Sequence, residues 1–184
     1  MNKLLNVTIN GKKIAIPAAT TVLTAAKSLG IVVPTLCHNP RFSEVPQVAN
    51  CRICVVKRES DGKFYSACKT IIEKDGESYV TGAPDLEQYR LLASFISQVN
   101  LRSGPGVAEL FEENGMWKTN DPKFGTLTGR KDIQNFVDNV LPKKGPIHNM
   151  VDEGMKVQVF GKTFEFKITK GPQGLIGSIE RLVQ

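Results

Sequence analysis

The stretch ANCRICVVKRESDGKFYSAC, from Ala49 to Cys68, holds three of the four cysteines of a 184-residue chain. The fourth, Cys37, lies one segment upstream in VVPTLCHNP. All four cysteines thus fall within 32 residues, and the 116 residues after Cys68 contain none. Such clustering asks for a chemical explanation.

The cysteine spacing is C-x13-C-x2-C-x13-C. Because two residues separate Cys51 from Cys54, both sulfurs can converge on one small centre, and four thiolates suit Zn²⁺, [2Fe–2S] or [4Fe–4S]. Structural zinc commonly uses two C-x2-C pairs or Cys/His pairs at short spacing, and only one such pair is present. The spacing favours iron–sulfur ligation, and structural zinc remains the alternative.

The overall composition predicts a cytoplasmic protein. The sequence has no run of 18 apolar residues, so we expect no membrane span. Its N-terminus alternates polar and apolar residues, unlike a signal peptide. In a reducing compartment, clustered cysteines are more often metal ligands than disulfides.

The net charge of +6 is concentrated in the first part of the chain, where residues 1–83 carry 11 Lys and Arg against 6 Asp and Glu. A basic surface can attract nucleic acid, anionic lipid or an acidic protein. The sequence shows no aromatic-and-basic RNA-binding motif and no helix-turn-helix signal, so we expect no nucleic-acid partner.

Alternating apolar residues surround Asn10-Gly11 in LNVTINGKKIAI, a dipeptide that accepts the positive φ angles of a type I′ turn. This pattern predicts an antiparallel hairpin over residues 4–16. The next segment, TTVLTAAKSLG, has helical spacing, and we expect Thr20 or Thr21 to cap its start.

The cysteine region predicts a loop, a hairpin and a strand in that order. The segment between Cys37 and Cys51 is rich in Pro, Asn and Ser and indicates a loop. RICVVKRE and KFYSAC flank a turn at residues 60–62, and ESYVT predicts a strand over 77–81. This element order indicates an α+β fold.

The remaining sequence predicts a mixed helical and hairpin extension. PDLEQYRLLASFISQVN, from Pro84, has a helical apolar face, and VAELFEEN and RKDIQNFVDNVL predict shorter helices. MKVQVFGKTFEFKI predicts a hairpin centred on Gly161, in the same register as the first hairpin. An internal duplication or two independent hairpins would explain this match. The aromatic residues Phe111, Trp117 and Phe124 suit either a second core or an interface.

The segment from VPTLC to YVT resembles the N-terminal [2Fe–2S] domain of the large iron–sulfur subunit of NADH dehydrogenase (complex I), iron hydrogenases and formate dehydrogenases. The matching motifs are Pro34-Thr35-Leu36-Cys37, Asn50-Cys51-Arg52-Ile53-Cys54-Val55 and Ala67-Cys68. The resemblance covers residues 4–82. It implies a ferredoxin-like β-grasp fold and one [2Fe–2S] cluster, with Cys37 and Cys51 on one iron and Cys54 and Cys68 on the other.

The resemblance stops where fuller family members carry a His and three Cys for a [4Fe–4S] cluster, because no cysteine follows Cys68. We therefore predict a [2Fe–2S] ferredoxin-like β-grasp domain over residues 1–83 and a cysteine-free docking extension over residues 84–184. The predicted function is that of a non-catalytic electron-transfer subunit, docked with flavin-, iron–sulfur- or metal-containing subunits of an oxidoreductase. The alternatives are a free soluble ferredoxin and a structural zinc-binding adaptor.

Overall fold

The computed structural model describes residues 3–35, 51–145, 147–151 and 154–182. The chain divides into two compact units, Met1–Glu87 and Gln88–Gln184. Of the loop predicted between Cys37 and Cys51, residues 37–50 lie outside the described residues.

The first unit is an α+β unit built on one sheet. Its described elements are β1 (Leu4–Ile9), β2 (Lys12–Pro17), α1 (Val22–Ser28), β3 (Val55–Arg58), β4 (Phe64–Ser66) and β5 (Glu77–Val80). The described strands are ordered β2-β1-β5-β3-β4. β1 and β5 are parallel, and the other neighbouring pairs are antiparallel. This mixed sheet with α1 confirms the predicted α+β, ferredoxin-like β-grasp class.

Local sequence explains where these elements begin and turn. Asn10 and Gly11 join β1 to β2 with φ angles of 49° and 78°, the left-handed values that a type I′ turn requires. Thr21 caps α1 by accepting a hydrogen bond from the Thr24 backbone N–H at 3.2 Å. The helix ends before Gly30, which also has a positive φ, of 70°.

The core of the first unit contains two of the cysteines. Both Cys54 and Cys68 pack among buried apolar side chains of the strands and of α1. The aliphatic and aromatic members of this core are Leu5, Val7, Ile9, Ile16, Val22, Leu23, Ala25, Ala26, Val33, Val56, Ala67, Ile72 and Tyr79. The fold therefore withdraws these thiols from water.

The second unit contains most of α2 and a second sheet. Its described elements are α2 (Pro84–Leu101, which begins in the first unit), α3 (Gly104–Ala108), β6 (Phe111–Lys118), β7 (Thr126–Thr128), α4 (Arg130–Asn139), β8 (Asn149–Met150), β9 (Lys156–Val159), β10 (Lys162–Lys170) and β11 (Ile176–Arg181). The described strands follow the order β7-β6-β11-β10-β9-β8, with β6 and β11 parallel.

The sequence predicted α2, α4 and the β9–β10 hairpin correctly, but the predicted helix in VAELFEEN is wrong beyond Ala108. Residues 111–118 form β6, because pairing with β11 overrides local helix propensity. Phe111 is fully buried opposite Ile176. At Gly115, a Cβ atom would lie 2.8 Å from the Ile176 carbonyl oxygen, so only glycine allows this close approach.

Aromatic side chains fill the core of the second unit. Phe95 packs edge-on against Trp117 at a centroid distance of 4.9 Å and against Phe111 at 6.1 Å. Phe136 contacts both Trp117 and Phe124, at 5.3 and 5.2 Å. Of the two interpretations offered for Phe111, Trp117 and Phe124, the core is the one that the packing supports.

No helix in the described part of the chain combines the length and the apolar character needed to cross a bilayer.

Candidate metal centre

The β3–β4 hairpin places two of the predicted ligands side by side. Cys54 immediately precedes β3, and Cys68 follows β4 by two residues. Because the strands are antiparallel, these positions lie at the same end of the hairpin. The Ala67 backbone N–H donates to the Cys54 carbonyl oxygen at 3.1 Å and continues the pairing up to the cysteines.

A tight turn carries Cys68. The Ser66 carbonyl oxygen accepts hydrogen bonds from the backbone N–H groups of Lys69 and Thr70 at 3.0 and 2.9 Å. It also accepts a bond from the Thr70 hydroxyl, at 2.9 Å. Because one carbonyl holds three donors, the backbone on both sides of Cys68 is fixed.

The start of α1 holds the same segment from the other side. The Val22 N–H donates to the Thr70 carbonyl at 3.0 Å, and the Leu23 N–H donates to the Ala67 carbonyl at 2.9 Å. The first N–H groups of a helix have no partner within the helix, so they are available for such contacts. Sequence reasoning identified the helix and its cap but not this role in positioning Cys68.

The Cys54 thiol lies in surroundings that favour its ionised form. The Cys68 thiol donates a hydrogen bond to the Cys54 sulfur, and backbone N–H groups of Cys68, Cys54 and Ala67 add to its effect. These donors outweigh burial, which acts in the opposite direction, and lower the pKa of Cys54 from 9.0 to about 6. Cys54 is 1% exposed and Cys68 8%, so the thiolate is stabilised by the protein rather than by water.

The structure describes three of the four predicted ligands. It brings Cys54 and Cys68 together, the two that the resemblance assigns to one iron. Cys51 is half-buried, and the residue after it, Arg52, has a left-handed φ of 55°. Cys37 lies outside the described residues.

The described cysteines have the chemistry that an iron–sulfur cluster needs. Cys51, Cys54 and Cys68 are thiols and form no disulfide. Thiolate sulfur is the usual ligand of [2Fe–2S] iron, and amide N–H groups directed at sulfur are typical of such sites. Among the residues that the structure describes, no three His, Cys, Asp or Glu side chains form a group that could hold a metal ion. The fit of the described residues to an iron–sulfur cluster therefore depends on the Cys54–Cys68 pair and on the backbone N–H groups directed at it.

A polar cluster stabilises the far end of the hairpin and was not foreseen from the sequence. Arg58 forms an ion pair with Asp61 at 2.6 Å, and its guanidinium lies over the Tyr65 ring, 4.4 Å from the centroid. The Tyr65 hydroxyl donates to Asp61 at 2.7 Å. Hydrogen bonds from Arg58 and Tyr65 hold the pKa of Asp61 well below its usual range.

Comparison with known proteins points to the same residues. Residues 2–77 match the family described as 2Fe-2S iron-sulfur cluster binding domain. Over 87 residues the chain is 36% identical to a subunit of an NADH-quinone oxidoreductase of Rhizobium meliloti (strain 1021). Over a stretch of the same length it is 37% identical to the alpha subunit of an NADPH-Fe(3+) oxidoreductase of Geobacter sulfurreducens. Each of these matches covers 47% of this chain and 10% of the relative.

A third relative is a subunit of the NADP-reducing hydrogenase of Solidesulfovibrio fructosivorans, 39% identical over 69 residues, with 36% of this chain and 12% of the relative covered. The chain thus spans about a tenth of the length of these curated relatives. Residues 2–77, which include the paired thiols of Cys54 and Cys68, are thus similar to 2Fe-2S iron-sulfur cluster binding domains.

Proposed function

We propose that this chain is an electron-transfer subunit that relays single electrons within a multi-subunit oxidoreductase. Its residues 1–83 hold one [2Fe–2S] cluster through Cys37, Cys51, Cys54 and Cys68. The observation that carries the proposal is the convergence of the Cys54 and Cys68 thiols, with backbone N–H groups directed at sulfur, inside a segment of the cluster-binding family.

We assign Cys54 and Cys68 to one iron and Cys37 and Cys51 to the other, as the family resemblance implies. The hydrogen bond between the Cys54 and Cys68 thiols supports the first pair. When bound, a [2Fe–2S] cluster takes up and releases one electron at a time.

The protein's own groups prepare this site for a change of charge. Backbone N–H groups at Ala67 and Cys68 favour negative charge on the Cys54 sulfur. The same dipoles favour the more negative, reduced form of a centre bound there and so raise its potential. Burial of Cys54 excludes water from that side.

The partners follow from the relatives, whose names are those of oxidoreductase subunits. We infer that this chain works in the cytoplasm with flavin-, iron–sulfur- or metal-containing subunits and has no catalytic site of its own. Residues 84–184 then serve as its docking region, and the second unit within them has a separate core suited to a rigid surface.

The proposal is tested by purifying the tagged chain from its own cells without oxygen. We expect it to elute with other subunits, with absorption bands of a [2Fe–2S] protein that bleach when the substrate of the catalytic subunit is added. A cluster-bearing chain that always elutes as a monomer would instead indicate a free ferredoxin. A colourless chain with one zinc would indicate a structural adaptor.

Two cysteine variants and a neighbouring control test the ligands. We expect Cys54→Ala and Cys68→Ala each to lose the cluster and to lower stability, because metal binding couples to folding. Ser66→Ala lies two residues from Cys68 and removes a buried hydroxyl with no hydrogen-bond partner in the described part of the chain. It should keep full iron content. Normal iron content in Cys54→Ala would contradict the ligand assignment.

A further inference from the structure

The two β-hairpins that share a sequence register also share a turn geometry. β1 and β2 pair Ile9 with Lys12 around Asn10-Gly11, and β9 and β10 pair Val159 with Lys162 around Phe160-Gly161. The φ angles are 49° and 78° in the first turn and 49° and 77° in the second. Phe160 thus occupies the position that Asn10 occupies in the first hairpin.

Asn10 suits that position, and Phe160 does not. Asparagine is among the few residues that tolerate left-handed backbone, and the Asn10 side chain also bonds to Thr81, accepting from its N–H at 2.9 Å and donating to its hydroxyl at 2.7 Å. A bulky side chain at positive φ is an outlier that costs stability. Phe160 is nevertheless 83% exposed, so burial does not offset this cost.

The charge next to the Phe160 ring indicates which kind of surface the ring would bind. Between Val157 and Phe164 the only ionisable side chain is Lys162, which is exposed beside the turn. The hairpin tip, defined as Phe160 and Lys162, therefore offers one apolar ring and one positive charge. An apolar pocket with carboxylates at its rim is the complementary surface.

We propose that the hairpin tip is an anchor: Phe160 inserts into an apolar, carboxylate-rimmed pocket on another subunit of the redox complex. This inference rests on the proposed function. Buried aromatic side chains dominate the affinity of protein interfaces, so a single ring in a pocket can contribute much of the binding free energy. A membrane is a poor occupant, since stable attachment to a bilayer needs a broad apolar face or two independent anchoring signals.

The decisive variant is Phe160→Asn, because it separates strain from binding. Asparagine relieves the strained turn, so the folding equilibrium constant should rise about five-fold while the anchor is lost. Purified from its own cells with a tag, this variant should keep its cluster and retain about ten-fold less of the partner subunit. Leu101→Gln removes another exposed apolar side chain, 69% exposed on α2, and should retain the partner as the wild type does.

A photo-cross-linking phenylalanine analogue at position 160 identifies the contact. We expect cross-links to one subunit that is present in stoichiometric amount and that binds flavin or an iron–sulfur cluster. Mass spectrometry should identify this subunit and place the cross-link in a peptide that contains Asp or Glu. Unchanged partner retention in Phe160→Asn, or no gain in its stability, would overturn the inference. So would co-sedimentation of the wild type with phosphatidylcholine–phosphatidylserine vesicles that Phe160→Asn abolishes. A wild type that elutes alone, or one without a cluster, would instead refute the proposed function, and the inference with it.

Discussion

Replacing Thr21 with Ala tests whether α1 positions a cluster ligand. Thr21 accepts the Thr24 N–H at the start of a seven-residue helix. In the same first turn, the N–H groups of Val22 and Leu23 hold the carbonyls of Thr70 and Ala67, on either side of Cys68. Loss of the cap therefore loosens the segment that carries a ligand.

The size of the effect follows from one capping bond. Replacement of an N-cap threonine by alanine costs about 1 kcal/mol, within a range of roughly 0.5–2 kcal/mol. A free energy of about 1 kcal/mol corresponds to about a five-fold change in an equilibrium between closed and open forms. We expect iron to be released from Thr21→Ala to a chelator about five-fold faster than from wild type at pH 7.

A matched cap in the second unit provides the control. Ser103 caps α3 by accepting the Gly106 N–H at 3.1 Å, and Ser103→Ala removes a bond of the same kind. It should lower the melting temperature of its unit without changing iron release, and Thr21→Ser should restore the wild-type rate. Equal iron release from Thr21→Ala and wild type would contradict a role of α1 in holding Cys68, as would faster release from Ser103→Ala.

Two further predictions concern the cores of the two units. Burial and a hydrogen bond to Glu77 raise the pKa of Tyr79 above its ordinary value of 10.0. Near pH 10 the Tyr79 hydroxyl loses its proton only in the unfolded chain, so the free energy of unfolding falls as the pH rises further. In urea unfolding between pH 8 and 11, the free energy of unfolding of Tyr79→Phe should fall by about 1 kcal/mol less than that of the wild type. An equal loss would contradict the assignment. Phe95→Ala should cost the second unit about 3–5 kcal/mol, because Phe95 is 1% exposed. Fluorescence of the sole tryptophan, Trp117, should then report unfolding at lower urea than the cluster absorbance does; coincident transitions would contradict separate cores.

Local signals account for the part of the fold that sequence predicted. Asn10-Gly11 specifies a hairpin by its own conformational preference, and Thr21 specifies a helix start by its side chain. The chain order of these elements was enough to predict an α+β class. Both features depend on residues close together in sequence, which is why they could be read without a structure.

Long-range pairing accounts for the part that was missed. The first half of β6, residues 111–114, was predicted as helix because Glu-rich FEEN favours one locally, while its strand form depends on β11, some sixty residues away. The hydrogen bonds from the start of α1 to the Cys68 segment likewise could not be predicted, since backbone atoms form them and no particular side chain is needed at Val22 or Leu23. The cysteine spacing predicted the ligands, and the fold brings Cys54 and Cys68 together.

The composition and EPR spectrum of the intact chain, purified without oxygen, decide whether its four cysteines hold a [2Fe–2S] cluster. With four thiolates around one centre, we expect about two iron and two sulfide per chain, and a signal that appears only after one-electron reduction. Zinc bound without sulfide would contradict it, and the paired thiols of Cys54 and Cys68 would then belong to a structural zinc site.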